Sequence, residues 1–248
     1  MKISVVTATF NSGKTVAHAL STVSSQTWSD VEHIVIDGAS SDDTLAMVAR
    51  LGGRVAKVVS EPDRGIYDAL NKGIRLASGD VVGFLHSDDE FADPGVLSWI
   101  ATEFADPAVQ AVYGDLHYMN ANGARVVRGW RAGPFLRSRL ARGWMPPHPA
   151  LYLRRSVYEN LGGFDDSLRI AADYEFILRV FTQPHLVWRY VPRTFVRMRL
   201  GGASNGSVRN ILRKSQEDHA AMARYGFGPS TLILKNIRKL PQYWPQRY

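Results

Sequence analysis

Over its first 85 residues the chain alternates between four short apolar or β-branched runs and three amphipathic segments of helical period, separated only by brief polar loops. Lys2 to Thr7, Val31 to Ile36, Val55 to Ser60 and Val81 to Leu85 read as strands. The helices between them present Val16, Ala19, Leu20 and Val23, then Leu45, Val48, Ala49 and Leu51, then Ile66, Leu70, Ile74 and Ala77. A helix between two strands returns the chain to the end where the first strand began, so such strands lie parallel. The pattern predicts an α/β fold with a mostly parallel sheet flanked by helices.

A parallel sheet brings the carboxyl ends of its strands to one edge, where ligands of α/β proteins sit. Thr7 to Thr9, Asp37, Asp63 and Asp88 to Asp89 each follow a strand, so they converge on one site. The run Asp88-Asp89-Glu90 is the most demanding part of it, because adjacent carboxylates repel. A solvated turn relieves that repulsion; a divalent cation neutralises it. With carboxylates at three strand ends the cation is the better reading, and oxygen ligands favour Mg2+ or Mn2+ over Zn2+. Asp88 and Asp89 are the candidate metal ligands. Gly13-Lys14-Thr15 resembles the end of a P-loop, but Ala8 stands where that motif requires glycine.

Beyond residue 90 the expected elements are a helix over Pro94 to Phe104, a strand over Ala111 to His117, and a helix over Arg154 to Leu161. A further helix starts near Ile170, with Asp173 in its first turn and Phe176, Ile177 and Val180 on its buried face. Two strands, Val187 to Val191 and Thr194 to Leu200, precede a polar Gly-rich loop and a basic helical tail from Val208. Pro146-Pro147-His148-Pro149 precedes an apolar stretch, Ala150 to Leu153. The net charge of +7 is unevenly spread: residues 1–115 hold 8 Lys/Arg against 16 Asp/Glu, and residues 116–248 hold 22 against 7. An acidic half can gather a metal, and an Arg-rich half suits an anionic ligand or surface. The chain has no cysteine, which excludes disulfides and Cys-based zinc sites and fits a reducing, cytoplasmic compartment. The apolar run at the N-terminus is too short for a signal peptide, and no stretch approaches the ~18 apolar residues of a spanning helix.

Several motifs, in order, carry a resemblance. Val5-Val6-Thr7-Ala8-Thr9-Phe10-Asn11, Val35-Ile36-Asp37-Gly38-Ala39-Ser40-Ser41-Asp42-Asp43-Thr44, Glu61-Pro62-Asp63-Arg64-Gly65-Ile66-Tyr67-Asp68-Ala69-Leu70-Asn71-Lys72-Gly73-Ile74, Gly79-Asp80 through Asp89, Gly162-Gly163-Phe164-Asp165 and Ala172-Asp173 are similar to those of inverting GT-A glycosyltransferases of family 2. They look most like the small bacterial polysaccharide-assembly members of colanic-acid type. The resemblance spans residues 2–205 and implies a GT-A fold with a Rossmann-like sheet. It divides the chain into a nucleotide-sugar-binding half (1–115), an acceptor-binding half of the same domain (116–205) and a basic helical tail (206–248). It implies that Thr7, Thr9, Asp37 and Asp63 line the nucleoside pocket and that Asp88 is the metal ligand of the DxD-type motif, with Asp89 beside it. His86 occupies that motif's first position, where many relatives have Asp, and so falls at the ribose contact. Asp173 matches the catalytic base, the second member of an acidic pair. The first member is Ala172 here, which leaves Glu175 as the nearby acid able to take its place.

The chemistry such a reaction requires is present. Charge on a leaving nucleoside diphosphate is met by a divalent ion, and one carboxylate takes the acceptor hydroxyl's proton. A single displacement inverts the anomeric centre and needs no protein nucleophile. The expected donor is a UDP- or GDP-sugar, and the expected acceptor a saccharide or a polyprenyl-diphosphate-linked saccharide. A nucleotidyltransferase would want a glycine-rich basic loop after the first strand. A nucleic-acid-binding protein would account for the basic half, but its phosphates would meet the carboxylate edge. In the tail, Leu232, Ile233, Leu234, Ile237 and Leu240 alternate with Lys235, Arg238 and Lys239, followed by Tyr243 and Trp244. That composition predicts a helix at the inner face of the cytoplasmic membrane, with cations on anionic headgroups; a helix packed on its own domain is the alternative.

Overall fold

A computed structural model of the chain describes residues 1–200 and 208–238. The centre of the sheet is β1 (Ile3–Thr9), fully apolar on both faces at Ile3, Val5 and Val6. It pairs in parallel with β2 (Val31–Asp37) on one side and β4 (Val81–Phe84) on the other, and β3 (Val55–Ser60) extends the parallel ladder beyond β2. The register sets Thr9 opposite Asp37 and Asp37 opposite Ser60, so three strand ends finish level at one edge. Alternation along β1 sends Val5 towards α1 (Val16–Ser24), with Ala19 and Val23, and sends Val6 and Ala8 towards α3 (Ile66–Leu76), with Ala69 and Leu70. Helix α2 (Thr44–Leu51) packs beside α1 through Val48. The sheet is thus covered on both faces, as near-continuous apolar strands require.

The second half continues the same sheet rather than forming another. β8 (Leu151–Arg154) lies antiparallel between β4 and β6 (Val109–Met119). It is the short apolar stretch at 150–153, whose lack of alternation follows from burial on both faces. β6 runs parallel to β9 (Val187–Arg199), whose other edge carries the two-residue β5 (Glu90–Phe91), while β7 (Val126–Trp130) pairs antiparallel with the far end of β6. The two strands expected over 187–200 are one. Its register against β6 moves from Tyr113–Tyr190 to Asp115–Thr194, and Pro192, with no N–H to give a ladder, falls inside that irregularity.

Helices α4 (Val96–Glu103), α6 (Arg155–Leu161) and the short α5 (Arg137–Leu140) surround this half. Helix α7 (Ala172–Phe181) begins two residues later than the sequence indicates and is buried nearly all round, from Tyr174 to Phe181. The reason lies in the tail: α8 (Val208–Arg224) and α9 (Pro229–Ile237) fold back onto the domain, with Ala221 and Met222 buried in the same core as α7.

This docking corrects the expectation for the tail. Lys235, expected outside among lipid headgroups, is 4% exposed and ion-paired to Asp218 of α8, and Leu232 packs against the core. At Gly143, whose φ is +71°, a Cβ would lie 2.5 Å from Lys235 Cα; glycine there permits both the left-handed turn and the close approach of α9. Ile233, Leu234 and Ile237 do remain exposed. Lys239, Leu240, Tyr243 and Trp244, like the loop at 201–206, lie outside the described residues.

Candidate active site

The carboxyl edge of the parallel strands opens into a cleft of about 1150 Å3, walled on its far side by β7, the start of α7, α8 and α9. The loop after β1 supplies Thr9, Phe10, Asn11 and Ser12 to it. That loop is held by the one after β2: Asn11 Oδ1 accepts the Ser41 N–H at 3.0 Å, and Asp42 Oδ2 accepts the Gly13 N–H at 3.0 Å. A carboxylate therefore occupies the amide that a P-loop would offer to phosphate. Ser12 Oγ and Ser87 Oγ, 2.8 Å apart, tie this loop to the one after β4.

Asp37 lies behind the cleft wall. Its carboxylate is fully buried and accepts from Thr9 Oγ1 at 2.9 Å, Ser60 Oγ at 2.7 Å, and the N–H and hydroxyl of Ser40 at 2.9 and 2.5 Å. Burial alone would raise its pKa; these hydrogen bonds outweigh burial and lower it. Asp37 thus binds the ends of β1, β2 and β3 together. Thr7 is one pleat further in, its hydroxyl 3.0 Å from His33 Nε2 in the sheet interior. Asp63 does line the cleft. Its Oδ1 accepts the Gly65 N–H at 2.9 Å, and its Oδ2 would lie 2.6 Å from a Cβ at position 38, so a side chain there would displace the Asp63 carboxylate. Phe10, 65% exposed, stands beside Asp63 as an aromatic surface at the mouth.

After β4 the adjacent acids part. Asp88 and His86 line the cleft, whereas Asp89 is 1% exposed and turned inward, where burial and then Asp88 raise its pKa against the pull of Arg199. His148, from the 3-10 turn at His148–Ala150, faces His86 with ring centroids 5.8 Å apart. Burial holds it neutral, its pKa brought down to about 4. The Nδ1 of His86 and the Nε2 of His148 are buried without a hydrogen-bond partner among the described residues. No group of three His, Cys, Asp or Glu side chains among those residues forms a ready-made metal cage. The Asp88 carboxylate at the end of β4 suits Mg2+ or Mn2+, which bind through one or two protein carboxylates, waters and substrate phosphate oxygens.

Across the cleft, Asp173 sits in the first turn of α7. Its Oδ1 accepts the Tyr174 N–H at 2.8 Å and lies 3.3 Å from the Tyr67 hydroxyl, which is also 2.8 Å from the Ile170 carbonyl oxygen. The approach to α7 is fixed by Glu217 of α8, whose carboxylate accepts the backbone N–H groups of Arg169, Ile170 and Ala171 at 3.2, 2.8 and 3.0 Å. Glu175 is 3% exposed, paired with Arg179 and accepting the Tyr225 hydroxyl at 2.6 Å; the structure assigns it to the α7–α8 contact rather than to the cleft. The far wall is basic: Arg128, Arg169, Arg213 and Lys214 line it, and Lys235 lies buried behind it against Asp218.

Of the residues singled out in the sequence, Thr9, Asp63, His86, Asp88 and Asp173 are brought to one cleft, and Thr7, Asp37 and Asp89 are placed behind its wall. Sequence reasoning missed Phe10, Tyr67 and the contributions of α8 and α9. Phe10 and Tyr67 lie inside the motifs themselves and could have been found as aromatics next to strand-end acids. Glu217, in a polar helix, carries no such signal.

Comparison with known proteins agrees with this geometry. The family model "Glycosyl transferase family 2" matches residues 4–173. An uncharacterized glycosyltransferase of Mycobacterium tuberculosis is 38% identical over 179 residues, covering 71% of this chain and 68% of the relative. A PGL/p-HBAD biosynthesis glycosyltransferase of Mycobacterium bovis is 30% identical over 211 residues, covering 83% and 80%. Among solved structures, Staphylococcus aureus TarS 1-349 in complex with UDP-GlcNAc superposes with a TM-score of 0.70 at 17% identity, covering 98% of this chain and 73% of that one. The mannosyltransferase PcManGT of Pyrobaculum calidifontis, in complex with GDP-Man and Mn2+, gives 0.68 at 21% identity, covering 98% and 72%. The architecture is the α/β GT-A fold. With the family match and the fold in agreement, the chain belongs to glycosyltransferase family 2 and is a glycosyltransferase.

Proposed function

We propose that the protein transfers a sugar, with inversion, from a UDP- or GDP-sugar to a saccharide carried on polyprenyl diphosphate, in envelope polysaccharide or glycolipid assembly at the inner face of the cytoplasmic membrane. The observation that carries this reading is that Asp88 and Asp173 line one cleft together with Thr9, Phe10 and Asp63 and with four cations, Arg128, Arg169, Arg213 and Lys214. The part of the cleft in residues 1–115 receives the nucleotide. The part built by residues 116–205 and the helical tail receives the acceptor, whose phosphates the arginines and lysine recognise. Support for the donor comes from the solved neighbours with UDP-GlcNAc and with GDP-Man and Mn2+, and for a glycolipid product from the name of the PGL/p-HBAD relatives.

Asp88 holds the divalent ion, with His86 beside it. When bound, the ion supplies positive charge to the departing diphosphate. Asp173 takes the acceptor hydroxyl's proton as that oxygen bonds to the anomeric carbon and the bond to diphosphate breaks. Tyr67 and Glu217 keep the carboxylate in place, and Thr7 and Asp37 keep the donor loops in place from behind. The test is a screen of nucleotide sugars with Mn2+ or Mg2+, reading released nucleoside diphosphate. Release from a UDP- or GDP-sugar that stops with chelator is expected; release unaffected by chelator removes the metal from the reading.

A further inference from the structure

Helices α5 and α9 bring exposed aliphatic side chains and arginines to neighbouring parts of the chain's surface. Helix α9 lies against the turn after α5: Thr231 Oγ1 donates to the Ala141 carbonyl at 2.8 Å, and Gly143 abuts the Lys235 backbone. This contact uses one side of α9 and leaves Ile233 62%, Ile237 53% and Leu234 38% exposed, with Leu136 at the start of α5 51% exposed. Arg137, Arg139 and Arg142 lie on and just after α5, and Arg238 follows α9. Arg238 is close enough to Arg139 and Arg142 for their charges, together with burial, to disfavour its own. Among the described residues no carboxylate forms an ion pair with any of the four. The sequence gives the same answer, since residues 116–158 contain eight Arg and no acid.

Mutually repelling guanidinium groups without counterions call for anions from outside, and exposed aliphatic side chains among them call for an apolar phase. A nucleic acid or an acidic protein meets the first demand only. We propose that the α5–α9 face docks the protein on an anionic lipid bilayer, with Leu136, Ile233, Leu234 and Ile237 entering the interface and Arg137, Arg142 and Arg238 meeting the headgroup phosphates. The docking rests on the surface alone, and the membrane-borne acceptor proposed above gives it its purpose. The tail helix works here as part of a folded face and not as a detachable anchor. Lys235, on its inner side, holds α9 to the domain.

The test is flotation of the full chain with phosphatidylglycerol–phosphatidylcholine vesicles and with phosphatidylcholine alone. Binding is expected only where the anionic lipid is present, and it should fall as salt is raised. Arg142→Glu/Arg238→Glu should lower the bound fraction at least about tenfold. Ile233→Ser/Ile237→Ser should lower it while leaving the salt dependence. Arg142→Gln/Arg238→Gln, with a thermal melt, guards against a misfolded charge-reversal variant. Nucleoside diphosphate release from the donor in water should be unchanged in all of them, so loss of docking and loss of the catalytic reading are separable. No binding to anionic vesicles, equal binding by wild type and both double variants, or retention on polyanions such as heparin without vesicle binding overturns the proposal.

Discussion

Lys235 Nζ lies 2.8 Å from Asp218 Oδ2, with each side chain 4% exposed, and 3.1 Å from the centroid of the Tyr174 ring. One buried ion pair therefore connects α9, α8 and the residue next to Asp173. Burial brings the Lys235 pKa down to about 7 against the opposing pull of Asp218. Lys235→Met strands the Asp218 charge, with only Lys214 at 3.8 Å to answer it. The loss should be about 3 kcal/mol, a fall in Tm of roughly 10 °C. Lys235→Met/Asp218→Leu should recover most of it in the same melts. A single variant as stable as wild type would show that the pair contributes nothing.

Asp173→Asn keeps the shape of the α7 first turn but cannot accept a proton. Transfer should fall by about 10² to 10⁴ while nucleotide binding, followed by calorimetry, persists. Normal transfer by this variant moves the base elsewhere in the cleft.

Asp88→Asn should abolish the metal dependence of nucleoside diphosphate binding with little change in melting temperature, because the side chain lines the cleft and carries no packing load. Equally tight binding by wild type with and without chelator would remove Asp88 from metal binding.

Glu217 tests whether α8 positions the base. Glu217→Ala frees three backbone N–H groups before α7, and a shift of about 1 Å at a reacting group costs up to ~10²-fold. The expected result is a kcat lowered by roughly 10 to 100-fold with the donor KM unchanged, and partial rescue by Glu217→Gln, whose amide oxygen still accepts. A rise in donor KM with kcat intact would assign Glu217 to general stability instead.

Stability should decline in acid through two buried histidines. Burial brings His33 and His148 down to about 4, so the folded protein keeps them neutral while the unfolded chain takes up protons near pH 6.5. The contribution is complete above pH 6.5 and disappears as pH falls towards 4. At pH 5 each accounts for a loss of about 2 kcal/mol. Urea unfolding across this window should show the slope, and His33→Gln, which can still meet the Thr7 hydroxyl, should flatten it. An unchanged slope would show that His33 titrates normally.

The sequence by itself determined the α/β alternation and the acidic edge, because period and strand-end polarity are local properties. Four strands and three helices follow from residues only a few positions apart. What it could not determine is which neighbour faces the ligand. Asp88 and Asp89 are consecutive carboxylates, and only the packing of β5 and β9 around that loop turns one into the cleft and buries the other. Thr7 and Thr9 share a face of β1, and their difference is one pleat of depth beneath the loop that Asp37 secures. The apolar stretch Ala150 to Leu153 does not announce a strand until β4 and β6 are present on either side to pair with it. The tail shows this most fully. Its composition suits a membrane helix as well as a docked one, and the choice for Lys235 was made by Gly143, Asp218 and Tyr174, each far away in sequence. Long-range packing decides such matters because it alone sets what each side chain has left to touch.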